Sequence, residues 1–106
     1  MIEIHAKMFA TIRQYDTGVD ETAELNRIVQ EEFVPLMQSL QGFISYQWID
    51  VGNVGGRMVS VSIFDTAQHA EDSNKAAAAW LKKRPGFGSI SCFVEAGPVV
   101  AHSSLT

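Results

Sequence analysis

The sequence predicts an α+β fold in which four strands and two helices follow one another as β-α-β-β-α-β. Three observations carry this. Residues 57–64 alternate with period two, with Val59, Val61 and Ile63 on one side and Ser60, Ser62 and Phe64 on the other. Asp65 and Gln68 then stand as a near capping box at the start of a helix. At about 100° per residue, Ala67, Ala70, Ala77, Ala78 and Leu81 fall within one arc of that helix. Asn74 lies near the middle of the same arc, a polar amide in an apolar stripe.

From the N-terminus, Ile2 to Tyr15 reads as a long strand. Ile2, Ile4, Ala6, Met8, Ala10 and Ile12 form one face, and His5, Lys7, Phe9, Thr11, Arg13 and Tyr15 the other. A turn-rich loop, Asp16 to Asp20, offers Asp20 as an N-cap. Helical spacing then runs from Glu21 to Leu40, gathering Leu25, Ile28, Val29, Phe33, Leu36 and Leu40 on one side. Pro35 cannot donate to the Glu31 carbonyl, which predicts a kink that turns Glu32 out to solvent. Gly42 ends the helix and Phe43 to Val51 forms the second strand, with Ile44, Tyr46 and Trp48 on one face. Gly52 to Gly56 is a flexible connection between strands, matching neither GxGxxG nor the Walker pattern. After the second helix, Arg84-Pro85-Gly86 is a stop. Residues 87–95 are ambiguous between loop and strand, and the last strand continues through Val99, Val100 and Ala101 past a bend at Gly97 and Pro98.

This order is the split βαβ of ferredoxin-like domains, a four-stranded antiparallel sheet with two helices on one face. Two helices leave the other face bare, yet the strands carry large apolar groups on both sides, such as Ile12 with Phe9 and Val61 with Phe64. A second copy of the same sheet is the economical cover, so the chain is expected to be a homodimer.

The 106 residues suit a single domain spanning 1–106, with 46% hydrophobic and 19% charged residues. The net charge of −4 gives no general attraction to nucleic acid or anionic membranes. No apolar run approaches the ~20 residues of a membrane helix and the N-terminus lacks a signal-peptide core, so a cytoplasmic protein is expected. The one cysteine, Cys92, forms no internal disulfide, and His5, His69 and His102 lack partners at metal-ligand spacing. No metal or cofactor is therefore expected. Ser60 and Ser62 keep one sheet face short-chained, which leaves either a pocket beneath the helices or close packing around Ala76 to Ala79. Asn74 is either a structural amide holding a strand carbonyl or a pocket group. His69, Ser73 and Trp80 form a second line on the flank of the same helix, placed to rim the mouth of such a pocket rather than share its centre. Tyr46 and Trp48 suit a core or dimer interface, or offer flat surfaces to a planar ligand.

With its element order, FVPLMQSLQGFISYQ at 33–47 and VSVSIFDTAQHAEDSN at 59–74, the chain resembles the dimeric α+β barrel superfamily, within it the antibiotic biosynthesis monooxygenase-like group. The resemblance implies two sheets closing a barrel and a small-molecule pocket in each subunit between sheet and helices. It further implies a cofactor-independent monooxygenase acting on a small aromatic or quinol-type substrate. The alternative is a non-catalytic protein that binds a small molecule. Candidate substrate contacts are Asn74, Ser60, Ser62, Phe64, His69 and Trp80, with no catalytic residue assigned. The haem-degrading branch pairs a strand 1 Asn with a strand 3 Trp and a histidine late in helix 2. Here strand 1 has no Asn, Phe64 takes the Trp position, and late helix 2 reads Ala76 to Trp80. Haem degradation is not expected.

Overall fold

A computed structural model describes residues 8–18, 22–52, 56–84, 87 and 90–103. Strand β1 (Phe9–Asp16) leads to α1 (Ala23–Ile28), a π-helical turn (Val29–Phe33) and α2 (Val34–Ser39). Strands β2 (Phe43–Asp50) and β3 (Arg57–Phe64), helix α3 (Ala67–Lys83) and β4 (Ser91–Pro98) complete the chain order. The strands form one sheet in the order β2-β3-β1-β4, antiparallel at every pairing, which is the ferredoxin-like α+β fold. The expected strand over 2–8 and the Asp20 cap fall mostly or wholly outside the described residues. So do residues 53–55 of the β2–β3 connection and Pro85-Gly86.

Side chains of Thr11, Arg13 and Tyr15 on β1 and of Met58, Ser60, Ser62 and Phe64 on β3 are buried beneath the helices. A register irregularity between Phe43 and Ser45 shifts the β2 alternation. Phe43 therefore joins Tyr46 and Trp48 on the helix side in place of Ile44, which is 47% exposed, and meets Phe64 edge to face at 5.8 Å. Leu25, Val29, Phe33, Met37, Phe64, Ala70 and Ala77 form the core.

Pro35 does disturb its helix, as a π-turn just before it. A π-turn carries one extra residue per turn, which moves every later side chain by one place. Met37 is consequently fully buried, while Leu36 and Leu40, expected in the stripe, pack at its margin. The same turn sends Glu32 outward, where its Oε1 accepts from Arg84 Nη1 at 2.8 Å.

Helix α3 is capped by Thr66, not Asp65: the Thr66 hydroxyl accepts from the His69 amide at 3.0 Å. The Asp65 carboxylate lies 2.6 Å from His69 Nδ1 instead. This pair explains Gly42, whose φ of +81° already favours glycine and whose Cβ would collide with Asp65 and the His69 ring. The buried side of α3 holds Ala70, Ser73 and Ala77, while Ala67 and Ala78 are exposed. The inward face is thus turned from the expected arc towards Ser73 and Trp80.

On the far side of the sheet, Ile12, Ile49 and Phe93 are 38%, 40% and 59% exposed, beside half-buried Val59, Val61 and Ile63. Among the described residues nothing covers this apolar face.

Candidate functional site

The interior face of the two central strands carries a charge. Arg13 is 2% exposed, directly across β1–β3 from Ser60 and diagonal to Ser62. Its Nη1 donates to Ser62 Oγ at 3.2 Å, and its Nη2 to Asn74 Oδ1 at 2.6 Å and Ser73 Oγ at 3.4 Å. Ser73 in turn donates to the Ala70 carbonyl at 2.6 Å, which holds its oxygen toward the guanidinium. All three acceptors are neutral. No carboxylate lies within ion-pair distance of Arg13 among the described residues. A buried ion costs several kcal/mol of lost hydration unless paired.

Three buried hydroxyls beside it also lack partners: Thr11 Oγ1, Ser60 Oγ and Tyr46 OH. Thr11 sits two residues before Arg13 on the same face, and Tyr46 lies across from Ser62 on β2. Burial pushes the Tyr15 phenol up to about 12, against the pull of the Arg13 charge. Burial raises Tyr46 further, with Tyr15 adding to the effect and Ser60 and Arg13 opposing it. The Ser60 hydroxyl lies close to both phenols and favours their ionisation, against the effect of burial. Both tyrosines are neutral donors at physiological pH.

Tyr15 and Tyr46 form the inner wall of an aromatic cavity, completed by Phe33, Trp48, Trp80 and Phe87 with Leu25 and Val29. The rings brace one another: Phe33 is 5.0 Å from Trp80 and 5.5 Å from Tyr46, and Tyr15 is 5.3 Å from Trp48, centroid to centroid. Trp48 Nε1 donates to Asn26 Oδ1 at 2.8 Å, which fixes the indole. The space between the lining side chains is ≈ 330 Å³, but only ≈ 20 Å³ is open to the centre of a water molecule. The larger figure takes in open solvent, and the smaller is room for about one water molecule. Entry of a ring requires the aromatic side chains to part.

Of the expected contacts, Ser60, Ser62 and Asn74 converge on Arg13, and Trp80 lines the cavity. Phe64 is fully buried in the core away from the cavity lining, and His69 is held at the Asp65 corner. Asn74 holds neither a strand carbonyl nor open space; its partner is the Arg13 side chain. Ser73, placed on the flank of α3 by the helical spacing, shares a guanidinium nitrogen with Asn74, because a long arginine reaches both. Arg13 itself was legible only as a charge in register with Thr11 and Tyr15.

An α+β sandwich with a charged interior row behind an aromatic cavity is the class that fold and site define. The fold is that of the antibiotic biosynthesis monooxygenase-like dimeric α+β barrel proteins. No protein-family model matches the chain, and no curated protein matches it. Solved structures do. The heme-degrader MhuD from Mycobacterium tuberculosis superposes with a TM-score of 0.70 at 13% identity, covering 91% of this chain and 99% of that one. SnoaB, a cofactor-independent oxygenase from Streptomyces nogalater, gives 0.64 at 13%, covering 94% and 98%. A dimeric ferredoxin-like protein from an uncultured marine organism gives 0.60 at 20%, covering 91% and 98%. At these identities the likeness is one of fold. Among the described residues no helix is long and apolar enough to cross a membrane.

Proposed function

We propose that this protein is a cofactor-independent monooxygenase of small phenols or quinols, acting as a homodimer. The observation that carries the reading is Arg13, buried without a counter-ion opposite Asn74 and behind an aromatic cavity. A phenolate held there is electron-rich and can reduce O₂ without a metal. A phenol with a ring hydrogen para to its oxygen and one O₂ gives a quinone and water. One oxygen atom stays on the ring carbon, the other leaves with two hydrogens, and the substrate supplies all four electrons. The protein's part is to orient the ring and stabilise the anion through Arg13 and the tyrosine hydroxyls. The apolar outer face of the sheet and the dimeric neighbour support the homodimer.

The neighbour with two bound hemes raises haem as a further ligand. The donor set does not fit it. Residues Ala76 to Trp80 offer no iron ligand late in α3, and His69 stands in the first turn of that helix, outside the cavity lining. No cluster of three His, Cys, Asp or Glu side chains able to hold a metal occurs among the described residues.

Oxygen uptake tests the reading, with chelator-treated protein and a panel of single-ring phenols and quinols. The expected result is one O₂ consumed per quinone formed from at least one phenol, with no hydrogen peroxide released. A second reading, binding without turnover, is favoured by a lining that offers no histidine or carboxylate to take a proton from a substrate. Members that raise the melting temperature while none consumes O₂ would establish that reading instead.

A further inference from the structure

The aromatic cavity is closed, yet one of its walls has open space behind it. Beside the edge strand β2 runs a groove with ≈ 510 Å³ open to the centre of a water molecule, against ≈ 20 Å³ in the cavity. Val29, Tyr46 and Trp48 line both spaces and so form the partition between them. The groove lies on the helix side of the sheet, opposite the bare outer face, so a second sheet packed on that face would not cover it.

The three partition residues are not equally fixed. Val29 is 4% exposed and belongs to the π-turn. The Tyr46 hydroxyl is buried, and Phe33 packs against its ring. Trp48 is half-buried on a strand paired along one side only, and its indole is held by a side chain, Asn26 Oδ1, at 2.8 Å. Asn26 lines the groove and not the cavity, so it holds the indole from outside. Around Trp80 and Phe87 the closure is firmer. Trp80 is 5.0 Å from Phe33 and 5.7 Å from Phe87, Arg84 lies over Phe87 at 5.8 Å, and Arg84 pairs with Glu32 of the π-turn. Parting those groups breaks an ion pair and a chain of ring contacts. Moving Trp48 breaks a neutral hydrogen bond and a contact with Tyr15.

We propose that the β2 groove is the entrance to the cavity, with Trp48 as its door and Asn26 as the bolt. A substrate ring collects in the groove and passes inward when the indole swings off Asn26. The space the indole vacates has the shape of a flat aromatic ring. Asn26 and Trp48 thereby control access without touching the reacting atoms. The inference rests on the cavity being the ligand site proposed above, but not on turnover.

The test is fluorine NMR exchange spectroscopy with 4-fluorophenol, a neutral single-ring probe, which reads entry rate, exit rate and affinity together. Loosening a door destabilises the closed state equally with the cavity empty or filled, so both rates rise and their ratio holds. Asn26→Leu is expected to raise both rates roughly three- to tenfold, the worth of one neutral hydrogen bond, with affinity kept within about twofold. Trp48→Phe, a ring without the N–H, should also speed entry. Asn26→Asp keeps an acceptor and should speed neither rate, and Glu32→Gln should leave both as they are. Unchanged rates in Asn26→Leu, or a change in affinity alone, would overturn the proposal. So would faster exchange in Glu32→Gln but not in Asn26→Leu, or a probe bound by neither wild type nor Trp48→Ala. Exchange gated by Asn26 with no O₂ uptake from any phenol leaves the door standing and removes the oxygenase. O₂ uptake beside exchange insensitive to Asn26→Leu does the reverse.

Discussion

Replacing Arg13 with methionine is expected to weaken phenolate binding and O₂ uptake sharply while leaving the melting temperature unchanged or raised. A structural arginine would behave in the opposite way. In the folded chain the guanidinium is 2% exposed and has only neutral partners, two of them at 3.2 and 3.4 Å. Hydrogen bonds to a charged group return about 1.5–3 kcal/mol each when well made, and less at such lengths. Losing hydration costs several kcal/mol. Methionine keeps most of the bulk and removes that cost, leaving Ser62 Oγ and the part-buried Asn74 Oδ1 without their partner, while Ser73 still bonds the Ala70 carbonyl. Stability held back for function in this way is a common trade. Function should fall by ~10²–10³-fold, the usual effect of removing one group that stabilises a developing anion. Paired melts and O₂ uptake on one preparation check this. A melting temperature lowered by more than about 10 °C, corresponding to a loss of roughly 2 kcal/mol in a chain this size, would make Arg13 architecture.

The second large effect is expected at the outer face of the sheet. Val61 sits on central strand β3, between Ile12 of β1 and Gln47 of β2, on the face no described element covers. If a second sheet packs there, Val61→Asp buries a carboxylate with no partner, a cost of several kcal/mol at each of two symmetric positions. Light scattering should then give about twice the 11.6 kDa chain mass for wild type. The variant should appear as monomer or aggregate. A monodisperse, folded wild-type monomer would contradict the dimer, as would a variant of unchanged mass and melting temperature.

These effects fall where the sequence is hardest to read. The element order was legible because alternation at 57–64 and helical spacing at 67–83 are local signals. Which face of β1 turns inward was not. Alternation put Ala10 and Ile12 together, the apolar set that ordinarily marks a core, but Ile12 faces out and Thr11, Arg13 and Tyr15 lie beneath the helices. A sheet with two apolar faces inverts the rule at its functional side. The serines at 60 and 62 and the amide at 74 were visible as polar groups in buried positions. What they surround was not, because the partner of all this polarity is 47 or more residues away in the chain. Two local misreadings have local causes. Pro35 announced a disturbance without saying that an extra residue would be absorbed, which exchanged Leu36 for Met37. Asp65 and Thr66 are both good caps, and the choice fell to Thr66 because His69 draws the Asp65 carboxylate aside.

The proposed activity requires a phenolate to give electrons directly to O₂ in this cavity. Turnover under ¹⁸O₂ by chelator-treated wild type, with the quinone reduced at once to stop exchange with water, measures that step. The expected product carries one ¹⁸O atom per molecule, with the second recovered in water and no accumulation of hydrogen peroxide. Unlabelled quinone accompanied by peroxide, or labelled quinone formed equally well by Arg13→Met, would contradict it.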